Sequence, residues 1–191
     1  MKCGKPLMKK EQEYCRDCAR HALEFDQGRS LWKHTGRVPH AIYQFKFHNR
    51  RYYAEIFAKE LAERYGEWLQ KKEIDVIIPV PLHSSKRRSR GFNQAELLAK
   101  NLGRLTGIPV ETKAVVRIRK TLPQKQLNDK GRWENLKGAF GVQRTWKPVK
   151  TVLLVDDIYT TGNTIHRIAK VMKKAGVQKV YFLTISIGQG L

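Results

Sequence analysis

Residues 152–164 constrain the fold more than any other stretch, because an apolar run there ends in two carboxylates and a small-residue turn. Residues 152–155 are continuously apolar, which is typical of a parallel strand buried on both faces. The turn at 159–164 contains a glycine and three threonines, and a helix is predicted to follow. Backbone N–H groups at such a helix start favour binding of a phosphate. Asp156 and Asp157 are placed to bind sugar hydroxyls or Mg2+.

The same residues also allow a purely structural interpretation. In that interpretation Asp156 and Asp157 are a surface acidic pair, and Asn163 or Thr164 is the N-cap of the helix. Both interpretations predict the same strand, turn and helix, with Gly176 ending the helix after Ala175. They differ only in whether the turn binds a ligand.

Strand and helix patterns alternate along the rest of the chain. We predict strands at 41–47, 74–81, 110–119, 139–142 and 179–185, helices at 52–71 and 91–105, and a helical turn at 133–136. Gly107 is the expected stop of the second helix. Residues 82–90 are predicted to be a cationic loop, and residues 120–132 form a long polar stretch. The alternation predicts an α/β fold with a mainly parallel sheet flanked by helices, whose ligand lies beyond the carboxyl ends of the strands.

Residues 1–36 differ from the rest of the chain because they hold all three cysteines, Cys3, Cys15 and Cys18. Cys15 and Cys18 have the C-x2-C spacing of a zinc site, and a tetrahedral site needs four ligands. The fourth ligand is either missing, as in a segment that starts late, or supplied by His21. Three unligated thiols are the alternative. We therefore predict a small zinc-ribbon-like segment at 1–36 and a second domain at 37–191.

The chain is strongly basic, with 38 Lys and Arg against 17 Asp and Glu and a formal net charge of +21. Such a surface attracts polyanions, so single-stranded DNA is an expected partner. A small phosphorylated substrate, or a basic surface without a specific role, explains the charge equally well. No apolar run approaches the roughly 20 residues that span a bilayer, and the N-terminus lacks a secretory h-region. We expect a cytoplasmic protein without a transmembrane segment, at most peripheral to the membrane.

Residues 152–164 resemble the phosphoribosyl-pyrophosphate (PRPP) signature of type I phosphoribosyltransferases, without a gap. The resemblance implies that Asp156 and Asp157 face the ribose hydroxyls and help hold Mg2+, and that residues 160–164 cradle the 5-phosphate. The PRPP-binding residues implied in this way are Asp156, Asp157, Ile158, Tyr159, Thr160, Thr161, Gly162, Asn163 and Thr164.

The whole chain resembles the ComF family of competence proteins, which pairs a short zinc ribbon with a phosphoribosyltransferase-like domain. The cysteine segment, residues 78–82, residues 90–95 and residues 156–164 match in order. The resemblance implies a role in natural transformation, handling imported single-stranded DNA with proteins of the competence machinery. Residues 119–126 resemble the segment before the family's mobile loop. The basic and mobile-loop candidates are Lys86, Arg87, Arg88, Arg90, Arg119, Lys120, Gln124, Gln126 and Arg132.

In the transferases that this chain resembles, the loop after the first strand of the fold binds pyrophosphate. By position that loop corresponds to Val80, Pro81, Leu82, His83, Ser84 and Ser85. Pro81 removes a backbone donor, and Leu82 and His83 are bulky. The pyrophosphate site is therefore either weakened or compensated by the charge of His83 and Lys86.

Three functions fit these observations. The first is a competence protein that binds PRPP, or a related phosphoribosyl ligand, with Mg2+. The second is an active phosphoribosyltransferase in which a nitrogen base displaces pyrophosphate and residues 120–132 close as a lid. The third is a DNA-binding module whose basic runs follow the backbone, with Phe92 or Trp133 stacking on bases.

Overall fold

In a computed structural model of the chain, a four-stranded parallel sheet carries helices on both faces. The structure describes residues 2–7, 11–119, 121 and 129–188. The helices are α1 (Arg16–Arg20), α2 (Val38–Phe47), α3 (Tyr53–Lys71), α4 (Ser84–Arg90), α5 (Gln94–Thr106), α6 (Asp129–Asn135) and α7 (Asn163–Lys174). The strands are β1 (Gln27–Lys33), β2 (Val76–Pro79), β3 (Val115–Arg117), β4 (Phe140–Val142), β5 (Thr151–Tyr159) and β6 (Lys179–Ile187). The predicted α/β class is confirmed.

The main sheet has the order β1-β6-β5-β2, and its three strand pairs are all parallel. β3 and β4 form a separate antiparallel pair. Side chains of β5 alternate between the two faces of the sheet. Leu153 and Val155 pack with α2, α3 and α5, whereas Val152 and Leu154 pack with α7 and the β3–β4 pair. Both faces are thus covered, which explains the uninterrupted apolar run in the sequence.

β1 is an edge strand that was not among the predicted strands. It pairs with β6 although it lies inside residues 1–36, so the main sheet draws on both sides of the predicted domain boundary. Its sequence is mostly polar and therefore lacks the apolar run that predicts a buried strand. A Cβ atom on Gly28 would lie 2.0 Å from the Phe182 ring, so the absence of a side chain lets β1 approach its neighbour.

Residues 41–47 were predicted to be a strand, and that prediction is wrong, because they belong to α2. Pro39 lies in the first turn of this helix, where its fixed φ is favourable. Ile42 and Phe45, three residues apart, are its buried side chains, while Tyr43 and Phe47 are exposed. The apparent alternation came from two aromatic residues that face solvent.

Residues 82–90 were predicted to be a loop, but seven of them form α4. The His83 ring accepts a hydrogen bond from the backbone N–H of Ser85 at 3.3 Å, and Gly91 ends the helix with φ 79°. All seven α4 residues are described, and none of them is buried. The sequence therefore has no apolar stripe that would predict this helix. The helix is set by its caps instead.

The predicted strand at 110–119 is shorter than expected, because only β3 lies within it, with an isolated bridge from Val110 to Ile77. The predictions for 52–71, 74–81, 91–105, 139–142 and 179–185 are confirmed by α3, β2, α5, β4 and β6. Most of the polar stretch at 120–132 lies outside the described residues. No helix in the described part of the chain is long and apolar enough to cross a membrane.

Candidate functional site

The two carboxylates lie inside β5, which continues to Tyr159 before the turn begins. Because side chains alternate along a strand, Asp156 and Asp157 point to opposite faces of the sheet. The Asp157 backbone N–H donates to Asp156 Oδ1 at 2.9 Å. Burial and the neighbouring charge of Asp157 raise the pKa of Asp156 to about 7. The pair therefore combines one carboxylate that is easily protonated with one that faces a cation.

Lys46 on α2 is the cation that meets Asp157, with 2.8 Å between Lys46 Nζ and Asp157 Oδ2. Both side chains are largely shielded from solvent, at 17% and 15% exposed. Lys46 was not among the predicted site residues, because the alternating pattern of 41–47 favours a strand. The signal that would have placed it on a helix was the proline in the first turn together with Ile42 and Phe45.

Arg117 on β3 lies on the opposite face, near Asp156, and was also missed. Burial lowers the pKa of Arg117, and the charge of Asp156 offsets part of that effect. Its guanidinium donates to the Thr121 hydroxyl and lies over the Phe140 ring, 5.5 Å from the centroid. No local sequence pattern distinguishes this arginine from an ordinary strand residue.

Two candidates from α4, Lys86 and Arg90, join the same cluster. Partial desolvation and the charges of Arg117, Arg90 and Lys46 lower the pKa of Lys86. Partial desolvation also lowers the pKa of Arg90, and the charge of Asp157 partly opposes that shift. Four cations thus surround two carboxylates, which leaves an excess of positive charge. Such an arrangement favours a bound anion.

The turn after β5 is shaped by Gly162, which has φ 81° and is the N-cap of α7. The alternative that Asn163 or Thr164 caps the helix is wrong: both residues lie in its first turn. Asn163 Oδ1 instead accepts a hydrogen bond from Arg167 Nε at 3.2 Å. Gly162 has no side chain to cap the helix, and the Tyr159 hydroxyl occupies the space that a side chain there would take.

Two hydroxyl groups at this turn lack an evident hydrogen-bond partner in the described part of the chain. The Thr161 and Tyr159 hydroxyls are buried and have no hydrogen-bond partner among the described residues. An unpaired buried hydroxyl costs about 1–3 kcal/mol, so such groups in a native fold point to a missing ligand or to tight packing. Tight packing explains the Tyr159 hydroxyl, because the Tyr159 ring stacks on Phe182 at 4.7 Å between centroids. Thr161 belongs to the loop assigned to the phosphate.

Part of the predicted pyrophosphate loop is engaged inside the protein. The N–H of Val80 donates to the carbonyl of Val155 at 2.9 Å, and Asn93 Nδ2 donates to the carbonyl of Val80 at 3.0 Å. Pro81 has no N–H group. His83 and Ser85 bond to each other, 2.8 Å apart. Compensation by the charge of His83 and Lys86 stays a prediction.

Two of the other basic candidates have partners elsewhere, Arg88 is exposed, and the rest lie outside the described residues. Arg87 pairs with Glu96 at 3.4 Å, and Arg119 donates to the carbonyls of Asn135 and Lys137 at 2.9 and 2.8 Å. The candidates Lys120, Gln124 and Gln126, and the side chain of Arg132, fall outside the described residues.

The two aromatic residues considered for base stacking have partners inside the protein. Phe92 is 7% exposed and packs against Phe45, with 6.1 Å between ring centroids. The Trp133 ring lies 4.1 Å from that of His21 and 5.3 Å from that of His166. Neither aromatic is a free stacking platform.

The three cysteines converge as the sequence predicted. Their sulfur atoms lie within 4.8 Å of one another, and Cys3 Sγ is 3.4 Å from Cys15 Sγ. This donor set fits three of the four positions of a tetrahedral zinc site. His21 does not belong to the group of described ligand atoms that meets this limit, because its ring packs on Trp133.

Comparison with known proteins gives consistent matches. The sequence profile described as "Phosphoribosyl transferase domain" matches residues 52–186, which leaves β1, α2 and Lys46 outside the match. The chain is 33% identical to "Competence protein F" of Haemophilus influenzae, over 93% of this chain and 80% of that one. It is 30% identical to "DNA utilization protein YhgH" of Salmonella typhimurium, over 87% and 74%. It is 28% identical to "Competence protein ComFC" of Bacillus subtilis, over 91% and 71%.

Proposed function

Because this chain belongs to the ComF family of competence proteins and carries a phosphoribosyl transferase domain, we propose that it binds a phosphoribosyl ligand during natural competence. The ligand is PRPP or a close relative, bound with Mg2+, and the protein handles imported single-stranded DNA. The observation that carries the proposal is the glycine-capped helix start after Asp156 and Asp157, with the unpartnered hydroxyl of Thr161 beside it.

Each part of the ligand has a matching group in the site. The 5-phosphate meets the turn at 160–164 and the first N–H groups of α7. The ribose hydroxyls meet Asp156 and Asp157, whose oxygens are also suitable donors for Mg2+. Mg2+ supplies charge neutralisation of the pyrophosphate group when bound.

Calorimetric titration with PRPP and Mg2+ tests this assignment. The Asp156→Asn/Asp157→Asn double variant should lose binding while it keeps the cooperative unfolding of the parent protein. Asp75→Asn is the matched control, because Asp75 accepts a hydrogen bond from the N–H of Thr151 at the opposite end of β5. Unchanged affinity in the double variant would show that the site is assigned wrongly.

The DNA part of the proposal is supported by the net charge of +21 and by the relatives named for competence and DNA utilisation. Binding through the phosphate backbone makes log affinity fall linearly with log salt, in proportion to the phosphates contacted. We therefore expect a steep salt slope for an oligodeoxythymidine. A shallow slope would remove backbone contact from the proposal and leave the phosphoribosyl ligand unaffected.

Active phosphoribosyl transfer is the second candidate, favoured by the four cations around the carboxylate pair. In this reaction the bond from the anomeric carbon to the pyrophosphate oxygen breaks, and a bond to a nitrogen nucleophile forms. Pyrophosphate leaves with the bonding electrons, and the nucleophile loses its proton to solvent or a base. Pyrophosphate release with a panel of bases tests this reaction, and the Asp156→Asn/Asp157→Asn variant is the control.

A further inference from the structure

A cleft of about 510 Å3 opens between the end of α2 and helix α4. We call it the α2–α4 cleft and define it by Lys46, Phe47, Ser85, Lys86, Ser89 and Arg90, which line it. Its volume is in the usual range for a small-molecule site, about 300–1,000 Å3. The cleft borders the phosphoribosyl site, because Lys46 reaches from its wall to Asp157.

All charged side chains that line the cleft are cationic. Lys46, Lys86 and Arg90 all line it, and none of its described lining residues is acidic. Lys46 alone among them has a carboxylate partner within the described salt bridges. The Arg90 guanidinium donates to the side chain of Gln94, which is 1% exposed and holds it in place. A phosphate is the anion that suits this combination of a positioned guanidinium and ammonium groups.

An exposed aromatic surface adjoins these cations. Phe47 lines the cleft and is 57% exposed, and its ring lies 5.0 Å from that of Tyr43, which is 52% exposed. The Arg90 guanidinium lies 4.8 Å from the centroid of Phe47. Unlike Phe92, Phe47 keeps most of its surface exposed beyond its contacts with Tyr43 and Arg90, so a base can stack on it beside these cations. Ser85 and Ser89 add hydroxyl groups for the sugar or phosphate.

From this juxtaposition we propose that the α2–α4 cleft binds a nucleoside phosphate. Its phosphate meets Lys86 and Arg90, and its base stacks on Phe47. Two sources share this chemistry: a free nucleoside monophosphate, and the terminal nucleotide of a DNA strand. A nucleotide in this cleft would be one contact through which the protein handles DNA. The proposal rests on the proposed function only in naming PRPP as the ligand of the neighbouring site. Binding in the cleft itself needs neither PRPP nor Mg2+.

Fluorescence competition or calorimetry with thymidine monophosphate, thymidine and inorganic phosphate tests the proposal without PRPP. The nucleotide should bind at least tenfold more tightly than either fragment. Lys86→Gln and Arg90→Gln should each weaken its binding roughly tenfold, the size expected for a charge-assisted hydrogen bond. Arg88→Gln is the matched control, because it removes the same charge from the same helix outside the cleft lining, and it should change the affinity less than twofold.

Decathymidylate with a terminal phosphate, and the same strand without one, distinguish the two sources. A preference for the phosphorylated strand over both the bare strand and the mononucleotide identifies a strand end. Equal binding of the mononucleotide and the phosphorylated strand identifies a free nucleotide. Nucleotide binding no tighter than that of inorganic phosphate overturns the proposal. Equal losses in Lys86→Gln and Arg88→Gln also overturn it, since they would indicate a diffuse cationic surface.

Asp157→Asn separates this proposal from the phosphoribosyl site. That variant releases Lys46 from its 2.8 Å ion pair, so nucleotide binding in the cleft should become severalfold tighter. PRPP binding should weaken in the same protein. If PRPP binding is absent in every variant while Asp157→Asn still binds the nucleotide more tightly, that result would support the nucleotide site in the cleft and refute PRPP as the ligand of the neighbouring site. A loss of nucleotide affinity in Asp157→Asn would contradict the contribution of Lys46 to the positive charge of the cleft.

Discussion

Replacing Gly162 with alanine probes the turn that the proposed phosphate would occupy. Gly162 has φ 81°, a conformation that costs a residue with a side chain about 1–2 kcal/mol. The added Cβ would also lie 2.2 Å from the Tyr159 hydroxyl and 2.7 Å from its ring. Tyr159 is 1% exposed and stacked on Phe182, so it has no room to move. Overpacking of this kind costs about 1–3 kcal/mol.

The expected loss of unfolding free energy is therefore about 2–5 kcal/mol. With a urea m-value of about 2 kcal/mol/M, the unfolding midpoint should fall by roughly 1 M or more. Gly107→Ala is the matched control, because Gly107 has φ 75° and no atom within 4 Å of an added Cβ. It should lose only about 1–2 kcal/mol.

Tyr159→Phe extends the same test. Its hydroxyl has no partner among the described residues, so its removal should stabilise the fold by up to about 1–3 kcal/mol. In the Tyr159→Phe background Gly162→Ala should cost less, since the shortest clash is gone. Equal losses for Gly162→Ala and Gly107→Ala would refute the packing of Tyr159 beneath the turn.

Three further predictions concern other charged and metal-binding groups. Burial and the charge of Arg167 lower the pKa of His166 to about 4, so its unfolded form binds a proton that the folded form does not. Stability should therefore fall as pH decreases from about 6.5 to 4, and urea midpoints of His166→Gln should lack this part of the decline. Lys46→Met frees Asp157 and should tighten Mg2+ binding about fivefold by calorimetry; unchanged binding would argue against the ion pair. Cys15→Ser should lower the zinc content of purified protein by metal analysis, whereas equal zinc in both proteins would exclude the thiol cluster.

The strand, turn and helix at 151–174 were predictable because each depends on local chemistry. The apolar run of β5 indicates a parallel strand buried on both faces. Gly162 indicates a backbone position with positive φ, which other residues avoid. Helix α5 was predictable for the same reason, since an apolar stripe is followed by Gly107 with φ 75°. The convergence of Cys15 and Cys18 follows from their C-x2-C spacing.

The elements that sequence reasoning missed have weak or misleading local patterns. α4 has no buried face, and the polar strand β1 is recognisable only beside β6. α2 shows an alternation of aromatic residues that its exposed side produces by chance. Each was decided by caps or by tertiary neighbours.

By itself the sequence determined the α/β class and the position of the acidic pair before a glycine-containing turn. Only the tertiary structure decided which cations surround that pair. Lys46 meets Asp157, and Arg117 lies near Asp156, because the two carboxylates leave β5 on opposite faces and a different element covers each face. Contacts between residues so distant in the chain depend on how helices pack over the sheet, and no local pattern of residues encodes that packing.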